Sequence, residues 1–296
     1  MLAGCRGRAS RLKVLVVDVV QDVRLMLRGH DVWILSAGVT LYALLAAVPS
    51  LLVAIRVTAA VAGRGRVDSL ASAVGRALPA AQSPAPVIAS FVDRAAGIGW
   101  PAVAFAVIPA TVWGEGLRRG FGRVTPVSAG RASAPPGRWE GWRSRLAVLP
   151  VLLLSPLGLL AVLGVAPELA RLFGSGSTAR SALAFYIALN VDRVVLSLVL
   201  VYAYRALGPG RPAWGPLLCG SFFTGAFISG FLQGCVIFLA IPVNLGSPFG
   251  GLRSVGAAVG VTLWLWLFTA LAVLGYAITL SLERRWTPTS TPGSSV

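Results

Sequence analysis

The chain has 296 residues, 56% of them hydrophobic and only 12% charged, with a mean hydropathy of +0.79. A soluble domain carries about a quarter of its residues as charge, so a soluble enzyme is excluded as a first reading. The charge is lopsided, 26 basic residues against 10 acidic for a formal net of +16, yet such an apolar chain is not an ordinary soluble nucleic-acid-binding domain.

Residues 11–30 mix aliphatic side chains with Arg11, Asp18, Gln21, Asp22 and Arg28. Positions 11, 18 and 22 share one helical face, which predicts an amphipathic helix on the inner membrane surface; a solvated leader is the alternative. No cleaved signal is expected, because the apolar run starts only at Val32 and is too long for a signal core. A bilayer core about 30 Å thick takes about 20 apolar residues in helix. Stretches free of Asp, Glu, Lys and Arg run over 32–55, 95–114, 146–167, 212–252 and 254–282. Another, 181–204, is interrupted only by Asp192 and Arg193. The cluster from Pro242 to Pro248 reads as a turn and ends the fifth helix. The expected fold is an all-α integral membrane protein, a six-transmembrane-helix bundle over 32–285. Its helices lie near 32–62, 97–118, 143–166, 184–206, 214–241 and 254–282.

Between the first two helices, Val67, Leu70, Ala71, Val74, Ala77 and Leu78 follow helical spacing, and Val87, Ile88, Phe91, Val92 and Ala95 repeat it. They predict two short amphipathic helices on the outer face, parted at 79–86. Residues 125–137 read as a flexible cytoplasmic linker, and 286–296 as a disordered cytoplasmic tail. With the 1–31 segment inside, the cytoplasmic segments hold 17 Lys and Arg against 7 in the outer ones. That bias predicts a bacterial cytoplasmic membrane protein with both termini cytoplasmic. Trp33, Trp100, Trp139, Trp142, Trp214 and Trp286 fall near helix ends, where indoles favour the interface; Trp113, Trp264 and Trp266 are expected inside the bundle.

Catalytic chemistry is thin. His30 is the single histidine, Lys13 the single lysine, and Cys5, Cys219 and Cys235 show no CxxC spacing. Cys219 and Cys235 on one helix would lie about 24 Å apart, too far for a disulfide. There is no P-loop and no GxSxG, and the acids are scattered. No enzyme activity, cofactor or metal is therefore expected, and a nuclease, which needs carboxylates for metal ions, is disfavoured.

Ionisable and polar groups within spans are functional candidates by default. Arg56 lies near the outer end of the first helix, where its stem can snorkel. Glu115, at the inner end of the second, is spaced to pair with Arg119 beside Arg118. If the fourth helix runs over about 186–205, Asp192 sits roughly 9 Å below its outer end. If that helix starts near 193, Asp192 and Arg193 lie at the interface instead. Gln233 is the amide well inside the fifth helix. Gly230-x-x-x-Gly234 and Gly256-x-x-x-Gly260 are spacings that let helices approach closely. Pro49 and Pro109 are expected to kink their helices by freeing the carbonyls of Leu45 and Phe105.

Several segments together resemble the YihY/BrkB family of bacterial inner-membrane proteins, over about 31–285. They are Leu35-Ser-Ala-Gly-Val-Thr-Leu-Tyr-Ala-Leu-Leu-Ala-Ala-Val-Pro49, Gly116-Leu-Arg-Arg-Gly-Phe-Gly-Arg-Val124, Val201-Tyr-Ala-Tyr-Arg-Ala-Leu-Gly-Pro209, and Ser254-Val-Gly-Ala257 ahead of Leu263-Trp264. The resemblance makes Ser254, at the start of the last helix, a further candidate. The chain departs from the family with Leu252-Arg253 for its usual Tyr-Gly, Ala277 for an acidic residue, and Gly122 for an Asn. The family was once labelled ribonuclease BN, and its members are linked to serum resistance or to movement of lipids or solutes. The kinked helices, the polar positions at depth and the capped outer face make a transporter or exporter of lipid or solute the first expectation. A non-transporting envelope scaffold is the alternative, and a membrane-bound ribonuclease ranks third. Membrane lipids are the expected partners, with a lipid or small molecule as substrate. No nucleic acid is expected, because 13 of the basic residues sit in 1–31 and 117–145, beside an anionic leaflet.

Overall fold

A computed structural model describes residues 2–29, 31–77, 84–126, 142–151, 178–240 and 246–286. Every regular element among them is helical: α1 (Leu2–Met26), α2 (Val32–Ala62), α3 (Arg64–Ala77), α4 (Pro84–Gly97), α5 (Trp100–Ala110), α6 (Val112–Val124), α7 (142–151), α8 (Thr178–Leu207), α9 (Trp214–Ala240) and α10 (Arg253–Trp286), with a short 3-10 turn at Ser247–Phe249. The break at 79–83, most of the linker at 127–137, the third expected helix beyond 151 and the tail from 287 lie outside the described residues. α1 begins well before residue 11 and ends at Met26, while α8 begins ahead of the expected 184.

α2 shows why the elements form where they do. Asp31 caps it, accepting from the backbone N–H groups of Trp33 (2.9 Å) and Ile34 (3.3 Å). Its apolar run then carries it through Pro49 to Ala62, where Gly63 takes φ +84°, a left-handed conformation that suits a stop. Pro109 acts differently. α5 ends at Ala110, and α6 restarts after Thr111, whose N–H donates to Val107 O (3.0 Å) and whose hydroxyl donates to Ile108 O (2.9 Å). The interruption therefore falls two residues after the proline.

Three described helices are long and apolar enough to cross a membrane: Val32–Ala62, Trp214–Cys235 and Val255–Trp286. Ile88–Gly97 and Trp100–Val124, bent by 117°, make a fourth if the pair is one broken span. Outward faces are apolar: Leu41, Leu45 and Val48 on α2, Phe105 and Ile108 on α5, and the stripe Phe223, Phe227 and Phe231 on α9 are all exposed. Small polar residues are inside, among them Thr40, Ser197, Thr224, Thr269 and Thr279. A water-soluble bundle reverses this, whereas in lipid small residues mark the helix contacts. Burial is cheap for these hydroxyls because each donates to the carbonyl four residues back, as Thr40 does to Ser36 (2.7 Å) and Thr279 to Gly275 (2.8 Å). Ser36 and Ser221 differ, being buried without a partner among the described residues.

α8, α9 and α10 make the tightest contacts. A Cβ at Gly225 would overlap Ser197, one at Gly220 would overlap Thr279, and one at Gly275 would overlap Thr224 and the Tyr204 hydroxyl. Tyr204 is fully buried there, donating to the Ala272 carbonyl at 2.8 Å, with Phe121 and Tyr276 rings 5.4 and 5.3 Å away. The Gly230-x-x-x-Gly234 spacing does not make this approach, and neither does Gly260. A Cβ at Gly230 or Gly260 would meet nothing within 4 Å, and one at Gly234 only the Trp264 ring at 3.9 Å. Close approach needs a glycine facing another helix's backbone or small residue, and Gly230 and Gly260 face open space. Of the tryptophans expected inside, Trp113 packs against the core, while the Trp266 indole donates to Trp33 O (3.0 Å) beside the exposed Trp33 ring. Gly275→Val is expected to lower stability by about 1–3 kcal/mol through overpacking, whereas Gly230→Ala should change it by under about 0.5 kcal/mol. Thermal unfolding in micelles reads both, and equal losses would remove this assignment.

Candidate polar site in the helical bundle

α8 and α9 run antiparallel, with Ser197 opposite Gly225. Further along the same pair, Gln233 Nε2 donates to Asp192 Oδ2 at 3.1 Å, and both side chains are half-buried. Two of the sequence candidates, 41 residues apart, thus form one contact. Since α8 starts at Thr178, Asp192 stands about 21 Å from its N-terminus, so a helix starting near 193 does not hold. Arg193 is exposed, about 100° around the helix from Asp192. Among the described residues no cation lies within ion-pairing distance of Asp192. The pair offers a carboxylate and an amide to a hydroxyl, ammonium or cation entering between α8 and α9.

Glu115 has the opposite surroundings. It is 5% exposed and accepts four hydrogen bonds: from Arg118 Nε (3.1 Å) and Nη2 (2.9 Å), Arg119 Nε (2.7 Å) and the Ser144 hydroxyl (2.8 Å). Arg119 also donates through Nη1 to the Tyr42 hydroxyl at 3.2 Å. The spacing to Arg119 was legible; Ser144 and Tyr42 were not. The available signal was Gly114-Glu115-Gly116, since a Cβ at Gly114 would overlap α7 at Ser144 and Val148, and one at Gly116 would overlap Tyr42. An acid between two glycines admits neighbours on both sides.

The remaining candidates stand apart from these clusters. Arg56 Nε donates to Ile98 O at 2.9 Å and its guanidinium lies 4.8 Å from the Trp100 ring centre, fastening α2 to the corner between α4 and α5. Pro49 sits within an unbroken α2. Ser254 is the second residue of α10, and its side chain lies outside the described residues. Among the described residues no group of three His, Cys, Asp or Glu could hold a metal ion.

A third polar cluster ties α1 to the end of α10. Arg285 Nη1 reaches Asp18 at 3.0 Å and Nη2 reaches Asp22 at 2.8 Å, while the Ser281 hydroxyl donates to Asp22 at 3.0 Å. The acids of the α1 face thus turn toward α10, leaving Val14, Val16, Val17 and Leu25 exposed.

A family model described as virulence factor BrkB matches residues 26–295. The chain belongs to the virulence factor BrkB family. No curated protein and no solved structure matches it. Three segments that carry the BrkB resemblance meet in space. Tyr42 of the first touches Arg119 of the second, and Phe121 of the second packs edge-on against Tyr204 of the third. Of the positions where this BrkB member departs from the family, Ala277 is fully buried, Gly122 has open space around it, and the Arg253 side chain lies outside the described residues.

The α1–α10 contact has a pH dependence. Partial burial pushes Asp22 up, but hydrogen bonds from Arg285 and Ser281 outweigh it and hold the carboxyl below its ordinary value. A carboxyl with a lowered folded pKa stabilises the contact above its unfolded pKa, and that contribution is lost as pH falls through the lowered value. A spin-label distance between α1 and the end of α10 should therefore hold from about pH 8 to about pH 5 and lengthen below about pH 4. Asp22→Asn should lengthen it at neutral pH, and lengthening of the unaltered protein already at about pH 6 would remove Asp22 as the cause.

Proposed function

We propose that this BrkB-family protein spans the bacterial cytoplasmic membrane six times, with both termini cytoplasmic, and moves a lipid or small solute without catalysing a reaction. The long apolar helices with lipid-suited outer faces support the membrane placement, and the 17-to-7 distribution of basic residues supports the orientation. On this reading α1 lies along the inner surface through its exposed valines, and α3 and α4 cover the outer face. The observation that carries the transport reading is the Asp192–Gln233 contact. A carboxylate inside a membrane bundle is expensive, and one held by a neutral amide stays available to a passing ligand. A scaffold without transport is the second reading, favoured by the closed packing at Gly220, Gly225 and Gly275.

Reporter fusions at residues 80 and 130 should fall on opposite sides of the membrane; the same side would end the topology. In liposomes the purified protein should move at least one member of a panel of fluorescent phospholipids and small solutes. Asp192→Asn and Gln233→Leu should slow that movement about tenfold, the equivalent of one charge-assisted hydrogen bond of about 1.5 kcal/mol. Absence of movement by the folded protein, or movement unchanged in both variants, favours the scaffold.

A further inference from the structure

The Glu115 cluster carries more positive charge than its contacts use. Glu115 is one carboxylate facing two guanidiniums, Arg118 and Arg119. Arg123, exposed, follows Arg119 by one turn on α6. On α7, Arg143 and Arg145 flank Ser144, whose hydroxyl is already on Glu115, and the Arg145 guanidinium lies 5.3 Å from the Trp142 ring centre. Among the described residues Glu115 is the one acid that ion-pairs with any of these five arginines.

The carboxylate does more than neutralise one charge. It holds Arg118 through Nε and Nη2 and Arg119 through Nε, so both guanidinium planes are fixed before any ligand arrives. Arg119 remains 61% exposed, and its Nη2 is used by neither Glu115 nor Tyr42. The Tyr42 hydroxyl accepts from Arg119 and keeps its own proton to donate. Fixed guanidinium forks, a phenol donor and surplus positive charge suit an oxyanion better than a neutral solute, and beside an anionic leaflet that oxyanion is a phosphate.

We propose that the corner formed by α6, the start of α7 and Tyr42 binds a phosphate-bearing anion, with Arg119 and Arg123 as its outer ligands and Glu115 as the residue that positions Arg119. The site stands whether or not the protein transports anything. With the proposed orientation it faces the cytoplasmic leaflet, where lipid headgroups and soluble phosphate esters both present this chemistry.

The test uses the full chain in nanodiscs of mixed phosphatidylglycerol and phosphatidylcholine, with lipid retention read by native mass spectrometry. Phosphatidylglycerol should be retained preferentially. Arg119→Gln and Arg123→Gln should each lower that preference about fivefold, the value of one guanidinium near an anionic headgroup, while Arg284→Gln, on α10 and outside the Glu115 cluster, should leave it unchanged. Glu115→Gln separates an organised site from bulk charge. It raises the net charge by one, so a bulk effect predicts stronger retention and an organised site predicts weaker. Unfolding temperatures of the variants show that the compared proteins are folded. Inorganic phosphate, titrated against the unfolding temperature in neutral detergent, tells the sources apart. Lipid preference without a phosphate response assigns a headgroup, and a phosphate response without lipid preference assigns a soluble ester. Neither response, a preference lost equally in Arg284→Gln, or stronger retention in Glu115→Gln would overturn the proposal.

Discussion

The Tyr204 hydroxyl donates to the Ala272 carbonyl at 2.8 Å, and three helices are arranged around that bond. In lipid, apolar burial does not drive helices together, so the association of α8, α9 and α10 rests on close packing and interhelical hydrogen bonds. A phenol placed this deep without a partner would carry a desolvation penalty of several kcal/mol, roughly 2–7 by transfer data. The bond forms because side chains are missing where it passes. Gly275 leaves room for the hydroxyl and for Thr224, and Gly208 leaves room for the Tyr276 ring. Tyr276 in turn accepts from the Gly210 N–H at 2.9 Å, which fixes the turn between α8 and α9. Phe121 closes the third side with a ring 4.7 Å from Tyr276, drawing α6 into the same core.

How much of this was legible depends on whether the signal is local. The apolar runs that became α2, α9 and α10 need only composition and length. The Glu115–Arg119 spacing also lies within one turn of chain. What could not be read is the register between helices. Asp192 and Gln233 each stood out alone, yet nothing in either segment says that they meet. The Gly230-x-x-x-Gly234 spacing failed for the same reason. A small-residue motif states that one helix could be approached, and the partner decides where. Here the partners are Thr279, Ser197 and Thr224, on the elements that face Gly220, Gly225 and Gly275. Ser144 was missed although it falls within the third expected helix, because nothing in that segment says which neighbour its first turn meets.

Asp192 and Glu115 are the same chemical group in two physical situations, and the difference separates their roles. Glu115 is saturated, with two guanidiniums and a hydroxyl occupying both oxygens. Such a carboxylate cannot take up a further cation without breaking existing bonds, so its function is to hold other groups in place. Asp192 receives one hydrogen bond from a neutral amide. It retains acceptor capacity, and the exchange of one weak partner for a ligand costs little. A search ranking ionisable residues by depth alone would treat the two alike.

The same reasoning bears on the surplus charge. A net +16 distributed without counter-charges would repel itself and loosen the segments that carry it. The structure spends its few acids at points where arginines gather. Asp18 and Asp22 hold Arg285, and Glu115 holds Arg118 and Arg119. Glu115, one acid against two guanidiniums, leaves part of the local charge uncompensated while fixing the side chains that bear it. A positive-inside bias arising from orientation alone would need no such fixing, because flexible arginines on a fraying loop serve orientation equally well. The cost of ordering long side chains around a buried carboxylate implies a geometric requirement at that end of the bundle. Orientation sets which side the arginines lie on, and Glu115 determines the arrangement they present there.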